Sequence, residues 1–402
     1  MKTTKFENVC RIIFCAVFVC ILLALILLTA YKSFFNYQGY SYFENRNLNP
    51  FPELTMKSLV DGYFFSAFEN WSRDHVFGRG TVLKLHTLLN MDILKRPVVN
   101  ETVMSEEVYL PYLKPEKVDG EKISEKAEVI ASNLKSHVTL AEELGAKFYY
   151  VAVPCQYVCY EDAYPYYLNS RKEFTAISSK KLFEALEKSE VPYIDMRARF
   201  AQLGSLPQYS SVVDNHYGIN GGYETYRAIM EKYNDDTGRN LDVLDGDEYT
   251  VTELPNNYIG SRTRKLLGLR KTDEKLKIIT PKNDVPFTRY DNGSEQPSAL
   301  SVYSMPANEY EDVSYGLYMG GDIGLTRIET ERPEMPTMLI YGDSFTNAVE
   351  SIIWYNFNTT YSIDFRHYKD MSLEDFMREI KPDIVVCIRD YEAILAPQDN
   401  GQ

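Results

Sequence analysis

The chain has 402 residues, 45% apolar and 25% charged, the balance of a globular protein with one large domain or two modest ones. Its net charge of −14 leaves no electrostatic footprint for nucleic acid, and a neutral polymer suits such a surface better than an anionic one. Its six cysteines do not form a disulfide framework, because Cys10, Cys15 and Cys20 crowd an apolar N-terminal run, and no spacing matches a zinc site.

Ile12 to Ala30 is apolar without a charge. Nineteen helical residues span about 29 Å, the thickness of a bilayer core. Lys2, Lys5 and Arg11 precede it against Glu7 alone, so the N-terminus is expected in the cytoplasm and the C-terminal bulk outside. The run is longer than a signal-peptide core and Thr29-Ala30 is a poor cleavage site, which favours an uncleaved signal anchor. Residues 1–32 read as cytoplasmic tip and anchor. Residues 33–115 read as a stalk and a helical region. The stalk, Tyr31 to Leu59, is expected to be extended because Asn45 to Pro52 lacks periodicity and holds two prolines. Phe64 to Asp92 has helical spacing with a break at Gly78-Arg79-Gly80.

Residues 116–402 read as one large domain. Ile123 to Leu144 is an amphipathic helix closed by Gly145, followed by a buried strand, Lys147 to Val153. Cys155 and Cys159 lie just beyond, able to pair across a turn or to serve as two small apolar residues. A helix (Phe174 to Lys188), a short strand (Tyr193 to Met196) and another helix (Gly222 to Tyr233) continue the alternation. It predicts an α/β fold: a parallel sheet with helices on both faces. From about 237 to 336 the alternation lapses into a β- and loop-rich insertion, with one β-like run at Leu276 to Thr280. It resumes with a strand (Thr337 to Tyr341), a helix (Thr346 to Phe357), a strand (Tyr361 to Phe365), a helix (Leu373 to Ile380) and a strand (Asp383 to Ile388).

Gly342-Asp343-Ser344-Phe345 stands at one of these strand-to-helix turns. A serine there is presented at the carboxyl edge of a sheet and the positive end of a helix, where a nucleophile and its oxyanion donors can sit together. It needs a base. Of five histidines, His86 and His137 fall in helical patterns as packing or surface residues, and His75 and His367 have no evident role. His216 lies in the loop Val212-Val213-Asp214-Asn215-His216-Tyr217, where Asp214 can hold one imidazole nitrogen while the other faces Ser344. Asp343 is placed to tie the turn and cap the helix.

These residues together resemble the SGNH-hydrolase-like proteins of bacterial polysaccharide O-acetylation, the alginate acetyltransferases and their relatives, and most of all those named for an Asp-His-His-Trp motif. Asp214-Asn215-His216-Tyr217 is similar to that motif, with Asn215 and Tyr217 as departures. Gly342 to Phe345 resembles the serine motif, and Tyr315 to Asp322, with Gly320-Gly321, the glycine pair ahead of it. Glu44-Asn45-Arg46 and Phe51 to Leu54 resemble the post-membrane stalk, and Asp364-Phe365-Arg366 a further segment. Asp-x-His precedes the serine, so the resemblance implies a permuted SGNH, flavodoxin-like sheet.

It also implies a mechanism. Ser344 is nucleophile, His216 base and Asp214 its orienting acid, and an acetyl group passes through acetyl-serine to a sugar hydroxyl. The amide of Ser344 is one oxyanion donor; Asn347, Gly321 and Asp322 are candidates for a second. Arg366 either binds substrate or pairs with an acidic neighbour. No cofactor and no metal are implied. The partners implied are a polysaccharide acceptor, the membrane and a multi-spanning membrane protein that supplies acetyl groups, since acetyl-CoA is cytoplasmic. An acetyl esterase with the same residues, or a non-catalytic glycan-binding protein on this scaffold, remain alternatives.

Overall fold

Phe148 and Tyr149 are neighbours in one strand, so they point to opposite faces of its sheet. In the computed structural model, which describes residues 5–35, 37–297 and 302–396, each meets a different helix. The Phe148 ring approaches His137 of the Gly120–Glu143 helix, and the Tyr149 hydroxyl donates to Asp236 of the Ile219–Thr237 helix at 2.9 Å. Helices therefore cover both faces, as the alternation predicts. Full burial of the central strand Ile384–Asp390 has the same cause.

The strands of this sheet, in chain order, are β1 (Lys147–Val153), β2 (Tyr193–Asp195), β3 (Thr288–Asp291), β4 (Ser294–Glu295), β5 (Leu325–Glu329), β6 (Thr337–Gly342), β7 (Thr359–Ile363) and β8 (Ile384–Asp390). Across the sheet they run β4-β3-β5-β7-β6-β8-β1-β2. The pairs β7-β6, β6-β8, β8-β1 and β1-β2 are parallel. Counted from β6, these five strands lie in the order 2-1-3-4-5, that of a flavodoxin-like sheet, whose ligand crevice opens where β6 and β8 part. The chain enters the order at its fourth strand, which is the permutation the motif order implies.

The insertion is β- and loop-rich, as expected, and its β3, β4 and β5 extend the sheet antiparallel from the edge of β7. Tyr249–Glu253 and Lys277–Pro281, also in the insertion, make a separate ladder. Thr346 to Phe357 is broken: 3₁₀ turns at Ser344–Thr346 and Trp354–Asn356 flank an α-helix of Asn347–Ile353.

By compactness, residues 1–100 with 264–270 form one unit and the remainder a second. The division follows Asn100 rather than 115 because the hairpin Thr102–Met104 and Tyr109–Pro111 is tied to the second unit, the Tyr109 amide bonding the Val212 carbonyl at 2.9 Å. In the first unit a helix of Lys5–Phe35 includes 29 residues, Glu7–Phe35, long and apolar enough to cross a membrane. Lys2 of the basic flank lies outside the described residues. The stalk is less extended than its prolines suggest. Tyr40–Ser41 pairs with Arg46–Asn47, and Thr55 caps a helix of Met56–Val60 through a reciprocal bond with Ser58. Helices Tyr63–His75 and Arg79–Leu88 follow, parted at Gly78 as the sequence break predicts.

Candidate active site

Ser344 follows β6 at the carboxyl edge, on the first residue of its 3₁₀ turn. Asp343 fixes that turn. Its Oδ1 accepts the Phe345 amide at 2.9 Å, and its Oδ2 accepts from Arg389 Nη1 at 3.2 Å. Arg389 sits near the end of the adjacent β8 and is only 1% exposed, so the turn is pinned to the neighbouring strand by a buried ion pair.

The Asp214 loop reaches the same edge from a segment 128 residues earlier. His216 Nε2 lies 2.7 Å from Ser344 Oγ, and His216 Nδ1 lies 2.6 Å from Asp214 Oδ1. Asp214 is 2% exposed. Its Oδ2 accepts the Ser261 amide at 2.6 Å, and its Oδ1 also accepts the His216 amide at 3.1 Å. Burial pushes this carboxyl up, but His216 and the two amides outweigh it and hold it at about 2. The carboxylate therefore stays ionised across the working pH range and fixes Nδ1 as the protonated nitrogen, leaving Nε2 to accept from the serine. The His216 ring lies flat on Tyr315, centroids 3.8 Å apart and 5° from parallel.

Sequence reasoning missed most of what holds this loop. The Tyr217 hydroxyl donates to the Phe345 carbonyl, joining the histidine segment directly to the serine turn. Tyrosine in place of the motif's tryptophan thus has a defined task. Gln156, wholly buried, donates to the Tyr109 and Ser211 carbonyls at 3.0 Å each, accepts from Arg262 Nε at 3.0 Å, and its amide bonds the Asn215 carbonyl at 3.0 Å. Ser211 Oγ accepts the Val213 and Asp214 amides and donates to Glu274 Oε2 at 2.9 Å. Burial pushes Glu274 up to about 7. Gly260 packs so closely that a Cβ there would lie 2.6 Å from the Val213 carbonyl carbon and 2.9 Å from Asp214 Cβ. Two signals were readable: glutamine directly after a buried strand's Pro-Cys, and arginine closing the apolar run of β8.

The oxyanion candidates separate. The Ser344 and Asp322 amides have no acceptor among the described residues. The Gly321 amide is engaged by the Tyr318 carbonyl at 3.2 Å, so that candidate is committed to the turn. Gly320 and Gly321 both have positive φ, 83° and 98°, which the turn delivering Asp322 requires and side chains resist. Asn347 Nδ2 donates to Asp322 Oδ1 at 3.2 Å. Arg366 donates from Nε and Nη2 to Asp364 and from Nη2 to Asp322 Oδ2 at 3.0 Å. Asp322 thus joins three segments that the sequence singled out separately, and Arg366 is paired with acids. Asp322, Asp364 and His367 bring metal-ligand atoms within 4.8 Å of one another, but both carboxylates are already paired with the Arg366 guanidinium. The remaining histidines bond elsewhere: His75 with the Trp71 carbonyl, His86 with Asn90, His137 with the Tyr341 hydroxyl. Cys155 and Cys159 are free and buried.

A flavodoxin-order sheet entered at its fourth strand, with a serine turn at the carboxyl edge, defines a permuted flavodoxin-like α/β fold. Solved structures agree on the fold. Bacillus cereus PatB1 superposes with a TM-score of 0.59 at 17% identity, over 73% of this chain and 96% of that one. PatB1 with a sulfonyl adduct gives 0.59 at 17% identity, over 73% and 94%. A DHHW family protein from Eubacterium siraeum gives 0.53 at 17% identity, over 74% and 93%. No family model and no curated protein matches the chain.

Proposed function

We propose that the protein is a membrane-anchored O-acetyltransferase that acts outside the cytoplasm on a polysaccharide, through an acetyl-serine intermediate. One observation carries the reading: the unbroken line Asp214–His216–Ser344, with links of 2.6 and 2.7 Å, beside the unengaged Ser344 amide.

Ser344 Oγ bonds to the carbonyl carbon of the acetyl donor while its proton passes to His216 Nε2. The carbonyl electrons move onto oxygen, where the Ser344 and Asp322 amides donate to it; two such donors supply several kcal/mol of the barrier reduction. Collapse expels the donor's leaving group, which takes the proton from His216. A sugar hydroxyl then gives its proton to His216, attacks the acetyl-serine, and leaves as the acetyl ester while Ser344 regains the proton. Asp214 supports the imidazolium in both halves. The Tyr315 face beneath it adds a cation–π attraction of about 0.5–2 kcal/mol.

The basic N-terminal flank favours an exported catalytic unit, so the acetyl group reaches it from a multi-spanning acyl-carrying membrane protein rather than from cytoplasmic acetyl-CoA. Treating the full chain with a sulfonyl fluoride should add mass at Ser344 and not in Ser344→Ala. An acetyl-donor assay with and without oligosaccharide tests the acceptor. Acetylated sugar is expected, and free acetate alone at every acceptor concentration leaves the esterase.

A further inference from the structure

The first unit holds a network of paired charges and, apart from it, a set of large exposed apolar side chains. Arg46 grips Asp74 at 2.5 and 2.9 Å and Glu44 at 3.1 Å, while Arg79 takes Glu44 at 2.6 Å, a network of two cations and two anions. This is the task of the Glu44-Asn45-Arg46 motif. The same unit also carries Phe34, Phe35, Met56, Val60, Phe65 and Val82, each large, apolar and exposed, with Phe35 at 77% and Phe65 at 63%. Single apolar residues are ordinary on a soluble surface, but this many large ones exposed in one unit of about a hundred residues point to a surface that is covered in use.

What covers it follows from depth. The Phe77 amide donates to Thr29 Oγ1 at 3.0 Å, and the Tyr37 ring stacks on His75 at 5.5 Å. A groove of about 850 Å³ runs between the end of the apolar helix, from Leu25 to Phe34, and the helix Tyr63–His75, with Phe51, Phe68 and Trp71 on its other wall. Leu25 lies five residues before Ala30, the last residue of the apolar run, and five residues of helix rise about 7–8 Å. An element packed against Leu25 to Thr29 is therefore below the boundary of the hydrocarbon when that run spans the bilayer. This is the depth, about 5–10 Å, at which interfacial helices lie. Aromatic side chains suit that layer: Phe51, Phe64, Phe68 and Trp71 form a chain of ring contacts 5.0 to 6.1 Å apart.

We propose that the Tyr63–His75 helix lies in the outer headgroup layer of the same membrane, its Phe65 and Phe68 side chains and the adjoining Phe51 against phospholipid acyl chains. The protein then holds the membrane twice, by a span and by a monotopic helix. The inference rests on the membrane-anchored part of the reading above and is independent of its chemistry.

Trp71 and Trp354 are the two tryptophans, so Trp354→Phe leaves Trp71 as sole reporter. The full chain is reconstituted in phosphatidylcholine–phosphatidylglycerol vesicles carrying a nitroxide at acyl carbon 5 or carbon 12, and flotation is measured alongside. Trp71 emission should fall at least twofold more with the carbon-5 label than with the carbon-12 label, and aqueous iodide should have little effect. Phe65→Asp should reduce that quenching while the chain still floats. If Trp354→Phe misfolds, the same comparison in the wild type reads Trp71 over a constant Trp354 background. Floating chains quenched equally or not at all overturn the proposal and leave the anchor standing; such a result fits a protein partner on this face. Chains that do not float overturn the anchor as well.

Discussion

Replacing Gly260 by alanine puts one methyl group into the wall of the Asp214 loop. The backbone conformation of Gly260 is not left-handed, so the cost is steric. The new Cβ would sit 2.6 Å from the Val213 carbonyl carbon and 2.9 Å from Asp214 Cβ, and closer still to the Val213 oxygen. Carbon atoms in packed interiors approach to about 3.5–4 Å, so the two strands of chain must part by roughly 1 Å. Both obstacles are backbone or Cβ, with no side-chain end to swing aside. Three bonds bridge the gap: Ser261 N to Asp214 Oδ2 at 2.6 Å, Asn215 N to Ser261 Oγ at 3.1 Å, and Arg262 N to the Val213 carbonyl at 2.9 Å. A 1 Å parting takes them to or beyond hydrogen-bond range and tilts the carboxylate away from His216 Nδ1. Misplacement on that scale costs about 10²-fold in kcat, and the overpacking costs about 1–3 kcal/mol of stability. The assay is hydrolysis of a chromogenic acetyl ester by the full chain in detergent, resolved into kcat and KM, with Tm measured on the same samples. A kcat within threefold of wild type in a folded Gly260→Ala protein would refute the idea that this approach holds Asp214 in place.

Asp214→Asn should keep the loop but stabilise the wrong tautomer, lowering kcat about 10³–10⁴-fold with little change in KM; steady-state kinetics checks this. Tyr217→Phe removes the bond to the Phe345 carbonyl and should cost about 1–3 kcal/mol in denaturant unfolding. Arg389→Met leaves Asp343 buried and unpaired, and should destabilise by about 3–5 kcal/mol, read as a Tm drop that Asp343→Asn in the same chain partly restores. Glu274 titrates near 7 when folded against 4.5 when free, so the folded state holds a proton that the unfolded state has lost between those values. Its contribution to stability therefore falls as pH rises from 4.5 to 7, by about 3 kcal/mol at most. Glu274→Gln lacks this term, so its Tm relative to wild type should rise between pH 5 and pH 8, and a constant difference would show that the carboxyl titrates normally.

Much of the site was legible because it is local. The strand before Ser344 announces itself by consecutive apolar residues, and Asp214 and His216 stand two apart, near enough for one loop to orient both. The cap by Asp343 follows from its place before the turn. The Asn347 helix read as longer than it is because apolar spacing continues through Trp354, whereas the chain tightens to 3₁₀ at both ends. The stalk read as extended because its prolines are visible and its ion pairs are not; Arg46 finds Asp74 across 28 residues.

The sequence by itself determined the long apolar N-terminal helix, the alternation that makes a covered parallel sheet, the serine turn and the Asp-x-His loop. Each depends on residues within a few turns of one another, where spacing and backbone preference decide the conformation. Only the tertiary structure decided that β6 lies between β7 and β8, that the insertion lengthens the sheet, and that Gln156, Gly260, Glu274 and Arg389 brace the two loops. Those facts depend on which distant strands pair and how closely their backbones approach. Such contacts are fixed by burial and hydrogen-bond satisfaction over the whole fold, and no short window of sequence contains them.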